Sequence, residues 1–190
     1  MKLKNTHEVK LLIAGSGGQG ILFMGKLLAY AAMLSLREVT WFPSYGAEMR
    51  GGTANCSIVI SDEVIGSPVV RVTDILVVFN KASLDRFMPL LKKGGILFYD
   101  SSLFKVKKSS DYVLYGVEAS AAASEFGDIM AANMVMLGAV TNVSQIVTKD
   151  ILQLALSENT PEKRFKTFPL NRQAIFKGFE IIENHKLLNS

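Results

Sequence analysis

The run Val9-Lys10-Leu11-Leu12-Ile13-Ala14-Gly15-Ser16-Gly17-Gly18-Gln19-Gly20-Ile21 decides the fold. Its first six residues are almost uniformly apolar, as in a parallel strand covered on both faces. From Ile21 to Leu34 the spacing of Ile21, Leu22, Leu28 and Ala32, widened by Phe23 and Met24, predicts a helix lying on a sheet. Strand, glycine turn and helix in that order suit a phosphate. Glycines allow a tight turn and close approach, and the first N–H groups of a helix are unpaired and partly positive. Gly15, Ser16, Gly17, Gly18, Gln19 and Gly20 are therefore candidate ligand-binding residues.

The spacing satisfies G-x-G-x-x-G, so a dinucleotide site is the first reading to test. A ribose-binding acid should end the second strand, about 20 residues on. That strand reads Glu38-Val39-Thr40-Trp41-Phe42 and runs into Pro43, so its one acid stands at the wrong end. A nicotinamide dinucleotide is disfavoured, which leaves another anionic ligand or simply a tight turn. Lys26, about two turns into the helix, is either a solvated side chain or a phosphate contact reaching back over the turn.

Further apolar runs at Thr53 to Ile60, Asp74 to Phe79, Ile96 to Tyr99 and Tyr112 to Val117 alternate with helical stretches. Lys92 to Gly95 reads as a stop between helix and strand. Val64-Ile65 and Val69-Val70-Arg71 suggest an added hairpin. The expected fold is α/β: one domain over residues 1–190 with a mainly parallel sheet, helices on both faces and a Rossmann-like glycine turn after strand one. Helices are expected at Ser83 to Leu91, from Ala119, from Ile129 to Val143 and from Thr148 to Ser157. Residues 161–190 form a C-terminal connector and helix, with Asn171 as cap and Leu170 as staple.

The 21 basic and 17 acidic residues give a formal charge of +4, but the cations are scattered, so nucleic-acid binding is not indicated. The lone cysteine, Cys56, lies in an apolar run and reads as a buried, inert thiol; alone it cannot hold an iron–sulfur cluster. His7 and His185 stand near opposite ends of the sequence, and no metal-ligand set is indicated. No signal-like segment and no membrane span of roughly 20 apolar residues is seen. A cytoplasmic location is expected.

Two polar features remain. Residues 43–53, Pro-Ser-Tyr-Gly-Ala-Glu-Met-Arg-Gly-Gly-Thr, join two strands at the end where the glycine turn also lies. Arg50 there clamps an anion or pairs with Glu48. Asn133, polar among Ala131, Ala132, Met134 and Met136, either satisfies a core backbone group or faces a ligand. Asn80 and Asp100, at strand exits, serve as caps of a helix or turn.

The blocks Gly15 to Ile21, Ser44-Tyr45-Gly46-Ala47-Glu48-Met49-Arg50-Gly51-Gly52, Asn133 to Gly138, and Asn171-x-x-Ala174-x-x-x-Gly178 together resemble the gamma subunit of 2-oxoacid:ferredoxin oxidoreductases. Trp41-Phe42-Pro43-Ser44-Tyr45-Gly46 is most similar to the 2-oxoglutarate branch, with branched-chain and indolepyruvate enzymes as alternatives. The resemblance implies a complex that decarboxylates a 2-oxoacid on thiamine diphosphate with magnesium, sends electrons through iron–sulfur clusters to ferredoxin or flavodoxin, and passes the acyl group to coenzyme A. It implies alpha and beta subunits, and a ferredoxin-like delta subunit, as partners that carry thiamine diphosphate, magnesium and the clusters. This chain then contributes no catalytic residue. It contacts coenzyme A through Gly15, Ser16, Gly17, Gly18, Gln19, Gly20 and Lys26, with Arg50 and Asn133 as further contacts. A purely structural assembly subunit is the competing role.

Overall fold

The computed structural model describes residues 8–45, 53–160 and 162–188. Six strands form one sheet in the order β2-β3-β1-β4-β5-β6. They are β1 (Glu8–Ser16), β2 (Glu38–Tyr45), β3 (Thr53–Ser61), β4 (Thr73–Val78), β5 (Leu91–Asp100) and β6 (Val113–Val117). The helices are α1 (Ile21–Leu34), α2 (Lys81–Phe87), α3 (Ala119–Glu125), α4 (Ala132–Ser144), α5 (Lys149–Glu158) and α6 (Phe168–Leu188).

β1, β4, β5 and β6 run parallel, and β1 is inside the sheet as its apolar run requires. β3 lies antiparallel between β2 and β1. Chain length explains this. A parallel crossover needs roughly a dozen residues or more, and only residues 46–52 separate β2 from β3. The return from β3 to β4, residues 62–72, contains no strand, which corrects the expected hairpin. Its β-branched residues lack sheet partners, and Val64 is 89% exposed. Lys92 to Gly95 lies inside β5, where the register with β4 shifts and Gly94 takes φ 74, so it is an irregularity in the strand and not a stop.

The two faces are covered unequally. Leu11, Ile13, Ile58, Ile75, Val77 and Phe98 meet α1 and α3 to α6, whereas Leu12, Leu76, Val78 and Leu97 meet α2 and the segment after β5. α4 is buried around its circumference, all thirteen of its residues included. α6 lies against it. Their crossing leaves no room for side chains: a Cβ on Gly138 would stand 2.1 Å from the Ile175 carbonyl oxygen, and one on Gly178 would stand 2.0 Å from that of Val135. Asn171 falls inside the first turns of α6 and does not cap it. The helix begins at Phe168 with Pro169 second, a place where a missing N–H costs nothing.

Because the atoms met at the α4–α6 crossing are backbone, neither helix can yield locally. Gly178→Ala is expected to lower unfolding stability by about 3 kcal/mol or more. Gly66→Ala, which meets open space, should shift it by less than about 0.5 kcal/mol. Urea denaturation of the two variants checks the contrast.

Candidate functional site

At the carboxyl end of β1 the chain turns into α1 on one face, while β4 sends α2 to the other. Open α/β sheets bind ligands at such a divergence. The turn is held by Gln19, whose N–H donates to the Ser16 carbonyl (3.2 Å) and whose Oε1 accepts the Ser16 N–H (2.6 Å). Gly15 makes space for that side chain, since a Cβ there would lie 2.6 Å from Gln19 Oε1. Gly18 has φ 94. Gly20 has φ 70 and caps α1 with no side-chain hydrogen bond, so the N–H groups of the first turn have no side-chain acceptor. Gly17 differs from these three: its φ is ordinary and a Cβ would meet nothing within 4 Å. The outward surface of the turn is open there.

Asn133 joins this turn to the buried helix. Its Nδ2 donates to the Gly20 carbonyl at 3.1 Å, and a Cβ on Gly20 would stand 2.1 Å from the same nitrogen. Asn133 is 5% exposed and still lines a cleft of about 420 Å³. Of the two roles the sequence left open, the geometry shows the bond to a backbone carbonyl and sets the residue on a cleft wall. The cleft lies between the start of α1, the turn entering α4, the end of α5 and the start of α6. Gly20 and Asn133 form one part of it, Lys26 supplies a cation, and Phe23 and Met130 supply apolar surface. Asp128 and Asn159 also line it and had not been singled out as site residues. Gly127-Asp128 before a helix was the available signal, but it is equally the signal of a cap; Asp128 Oδ1 indeed accepts the Met130 N–H at 2.9 Å.

Other expected residues serve structure. Asn80 accepts the Ser83 N–H (2.7 Å), capping α2, and donates to Ser16 Oγ (2.9 Å). Asp100, fully buried, accepts from Ser102 N and from both Ser120 N and Oγ, fixing the start of α3. Arg50, with the rest of 46–52, lies outside the described residues. The strands that lead into that loop do meet the glycine turn: Ala54 pairs with Gly15 on one side and Tyr45 on the other. Glu38 pairs with Ser61 at the opposite end of the sheet, a full strand from the turn, so it cannot hold a ribose there. Cys56 is buried, and burial pushes the pKa of its thiol up to about 12, outweighing the lowering influence of the nearby Trp41 indole.

Residues 10–181 match the family described as pyruvate ferredoxin/flavodoxin oxidoreductase. The chain belongs to this family. It is 42% identical over 156 residues to ketoisovalerate oxidoreductase subunit VorA of Methanothermobacter marburgensis, an alignment that takes in 80% of this chain and 33% of that one. The chain thus spans about a third of that relative's length. Against 2-oxoglutarate synthase subunit KorC of Methanocaldococcus jannaschii it is 35% identical over 184 residues, 95% of this chain and 96% of the relative. The crystal structure of the keto/oxoacid ferredoxin oxidoreductase gamma subunit from Geobacter sulfurreducens superposes with a TM-score of 0.80 at 29% identity, covering 93% of this chain and 97% of that one. Among the described residues no helix is long and apolar enough to cross a membrane.

Two outcomes follow from the geometry. Gly17→Ala is expected to fold with near-native stability, whereas Gly20→Ala, at positive φ and against Asn133, should lose about 2 kcal/mol or more; thermal unfolding distinguishes them. The Cys56 thiol stays protonated in the folded chain up to about pH 12, while an unfolded thiol ionises near pH 8.5. The unfolded chain therefore binds fewer protons above that value, and stability should fall as pH rises through roughly 9 to 12 but not below. Cys56→Ala should remove that component from an alkaline unfolding series.

Proposed function

We propose that this chain is the gamma subunit of a thiamine-diphosphate-dependent 2-oxoacid:ferredoxin oxidoreductase, acting on 2-oxoglutarate to give succinyl-coenzyme A, and that it binds coenzyme A at the glycine turn and cleft. The observation that carries the proposal is that Gly20, at the uncapped start of α1, and Lys26 line one cleft, with the open Gly17-Gly18 surface immediately before them in the chain. A phosphorylated ligand fits that donor set: N–H groups with partial positive charge and no capping side chain, and one ammonium that meets no acid among the ion pairs of the described residues. The choice of 2-oxoglutarate rests on the end-to-end likeness to a 2-oxoglutarate synthase subunit. The greater identity to a ketoisovalerate subunit over a shorter stretch favours a branched-chain 2-oxoacid as the second reading.

In such a complex, thiamine diphosphate with magnesium on the alpha and beta subunits supplies the carbanion chemistry, and clusters on partner subunits carry electrons toward ferredoxin or flavodoxin. The residues of this chain bind and orient. Lys26 and the first N–H groups of α1 hold phosphate charge, Asn133 keeps the turn at its distance from α4, and Phe23 and Met130 exclude water from one wall. Held this way, the thiol of coenzyme A reaches the acyl group as an oriented neighbour and not by chance encounter. Cys56, buried and protonated, takes no part.

The test uses the assembled complex, purified without oxygen, with a viologen acceptor. Lys26→Ala and Gly17→Asp are expected to raise the coenzyme A KM roughly tenfold, the loss of one charge-assisted contact, while subunit composition is unchanged. An unaltered KM in both variants overturns the binding role. Loss of the complex itself in both would assign the surface to assembly.

A further inference from the structure

We propose that Arg86 is a second phosphate-binding residue of this site: it stands on the α2 side of the glycine turn and holds one of the phosphate groups of coenzyme A. The proposal rests on the coenzyme A reading above and adds a cation on the other face of the sheet, outside the cleft that Lys26 lines.

The placement follows from strand register. Leu11 and Ile13 of β1 face the α1 side of the sheet, and Leu12 and Ala14 face the α2 side. Side chains alternate along a strand, so Ser16 continues the α2 row. On β3 the α1 row is Cys56, Ile58 and Ile60, which puts Thr53 on the α2 side as well. Ser16 and Thr53 are register partners at the carboxyl end of β1, one residue before Gly17. α2 reaches both members of this pair. Asn80, its cap, donates to Ser16 Oγ at 2.9 Å, and Arg86 Nη1 donates to Thr53 Oγ1 at 2.7 Å. The guanidinium is thereby carried from α2 across to β3, beside the strand pair that leads into the turn.

Its charge is not used up there. Arg86 makes no ion pair among the described residues, and the acid before it in the chain, Asp85, pairs with Lys81. The group it does contact is a neutral hydroxyl, and its carbon lies over the Phe87 ring, 5.2 Å from the centroid. Arg86 is therefore oriented by one nitrogen and one ring while it stays exposed with its other N–H donors unspent. A phosphate takes two parallel N–H bonds from such a fork. A carboxylate would too, and the number and place of the cations favour phosphate. Coenzyme A carries phosphate at two places, the diphosphate and the ribose 3′-phosphate. Cations stand on both sides of the turn, Lys26 in the cleft and Arg86 on the α2 side. A ligand lying over Gly17, where a Cβ would meet nothing within 4 Å, passes between them.

The experiment measures KM for coenzyme A and for the 2-oxoacid in the assembled complex carrying Arg86→Ala, Arg86→Lys, Thr53→Val or Lys81→Ala. Arg86→Ala is expected to raise the coenzyme A KM roughly fivefold, a charge-assisted contact weakened by solvent, and to leave kcat and the 2-oxoacid KM unchanged. Arg86→Lys keeps the charge without the fork and should recover part of the loss. Thr53→Val removes the hydroxyl but not the cation, so its effect should be smaller than that of Arg86→Ala. Lys81→Ala alters net charge equally, but its ammonium is paired with Asp85, and it should have no effect. An unchanged coenzyme A KM in Arg86→Ala, or an equal rise in Lys81→Ala, overturns the proposal. So does a rise in the 2-oxoacid KM instead, or a loss in Thr53→Val as large as in Arg86→Ala with no recovery in Arg86→Lys, the pattern of a purely structural contact. If Lys26→Ala raises the coenzyme A KM and Arg86→Ala does not, the coenzyme A reading stands without Arg86; if Lys26→Ala, Gly17→Asp and Arg86→Ala all leave it untouched, that reading itself has failed.

Discussion

The contact on which the rest of the site depends is the hydrogen bond from the Asn133 carboxamide to the Gly20 carbonyl. It joins a turn with two glycines at positive φ to α4, whose residues are all buried. Glycine at position 20 is what allows the approach, because any Cβ would occupy the place of the amide nitrogen. The αL conformation there also turns the chain so that α1 starts beside the β1 exit without a capping side chain. Its first N–H groups are thereby left without a capping side chain.

Rigidity behind that contact comes from α4. Buried on all sides, it is clamped between the sheet and α6 where Gly138 and Gly178 bring two backbones together. A helix so placed has few ways to shift, since close-packed interiors respond to displacement as a unit. The cleft is built from the edges of this block: α1 and the α4 entry on one side, the ends of α5 and α6 on the other. The Tyr30 hydroxyl, which donates to Glu158 at 2.8 Å, links α1 with α5. Preorganisation of this kind is what a binding surface can contribute to a reaction.

Much of this was legible in the sequence because it depends on local patterns. The apolar run before Gly15 and the spacing after Gly20 place β1 and α1, and the misplaced Glu38 is enough to disfavour a dinucleotide. The antiparallel direction of β3 was not legible: Ile58-Val59-Ile60 is apolar on both faces, the pattern of any buried strand, and direction depends on the length of the link before it. Val64-Ile65 and Val69-Val70-Arg71 misled through β propensity, which describes fit to a pleated surface and not the presence of a partner strand. Asn133 was ambiguous because its two roles arise from residues 113 positions apart. Asp128 and Asn159 belong to turns with ordinary capping duties, and only their meeting at one cleft marks them out.

The claim that this chain holds part of coenzyme A within a 2-oxoacid oxidoreductase is tested most directly by an experimental structure of the assembled complex with coenzyme A present. The account predicts ligand phosphate within hydrogen-bond reach of Lys26 and the start of α1, with the thiol arm directed toward a partner subunit. Coenzyme A held wholly by other subunits, with the α1–α4 cleft filled by a partner's side chains, would contradict it.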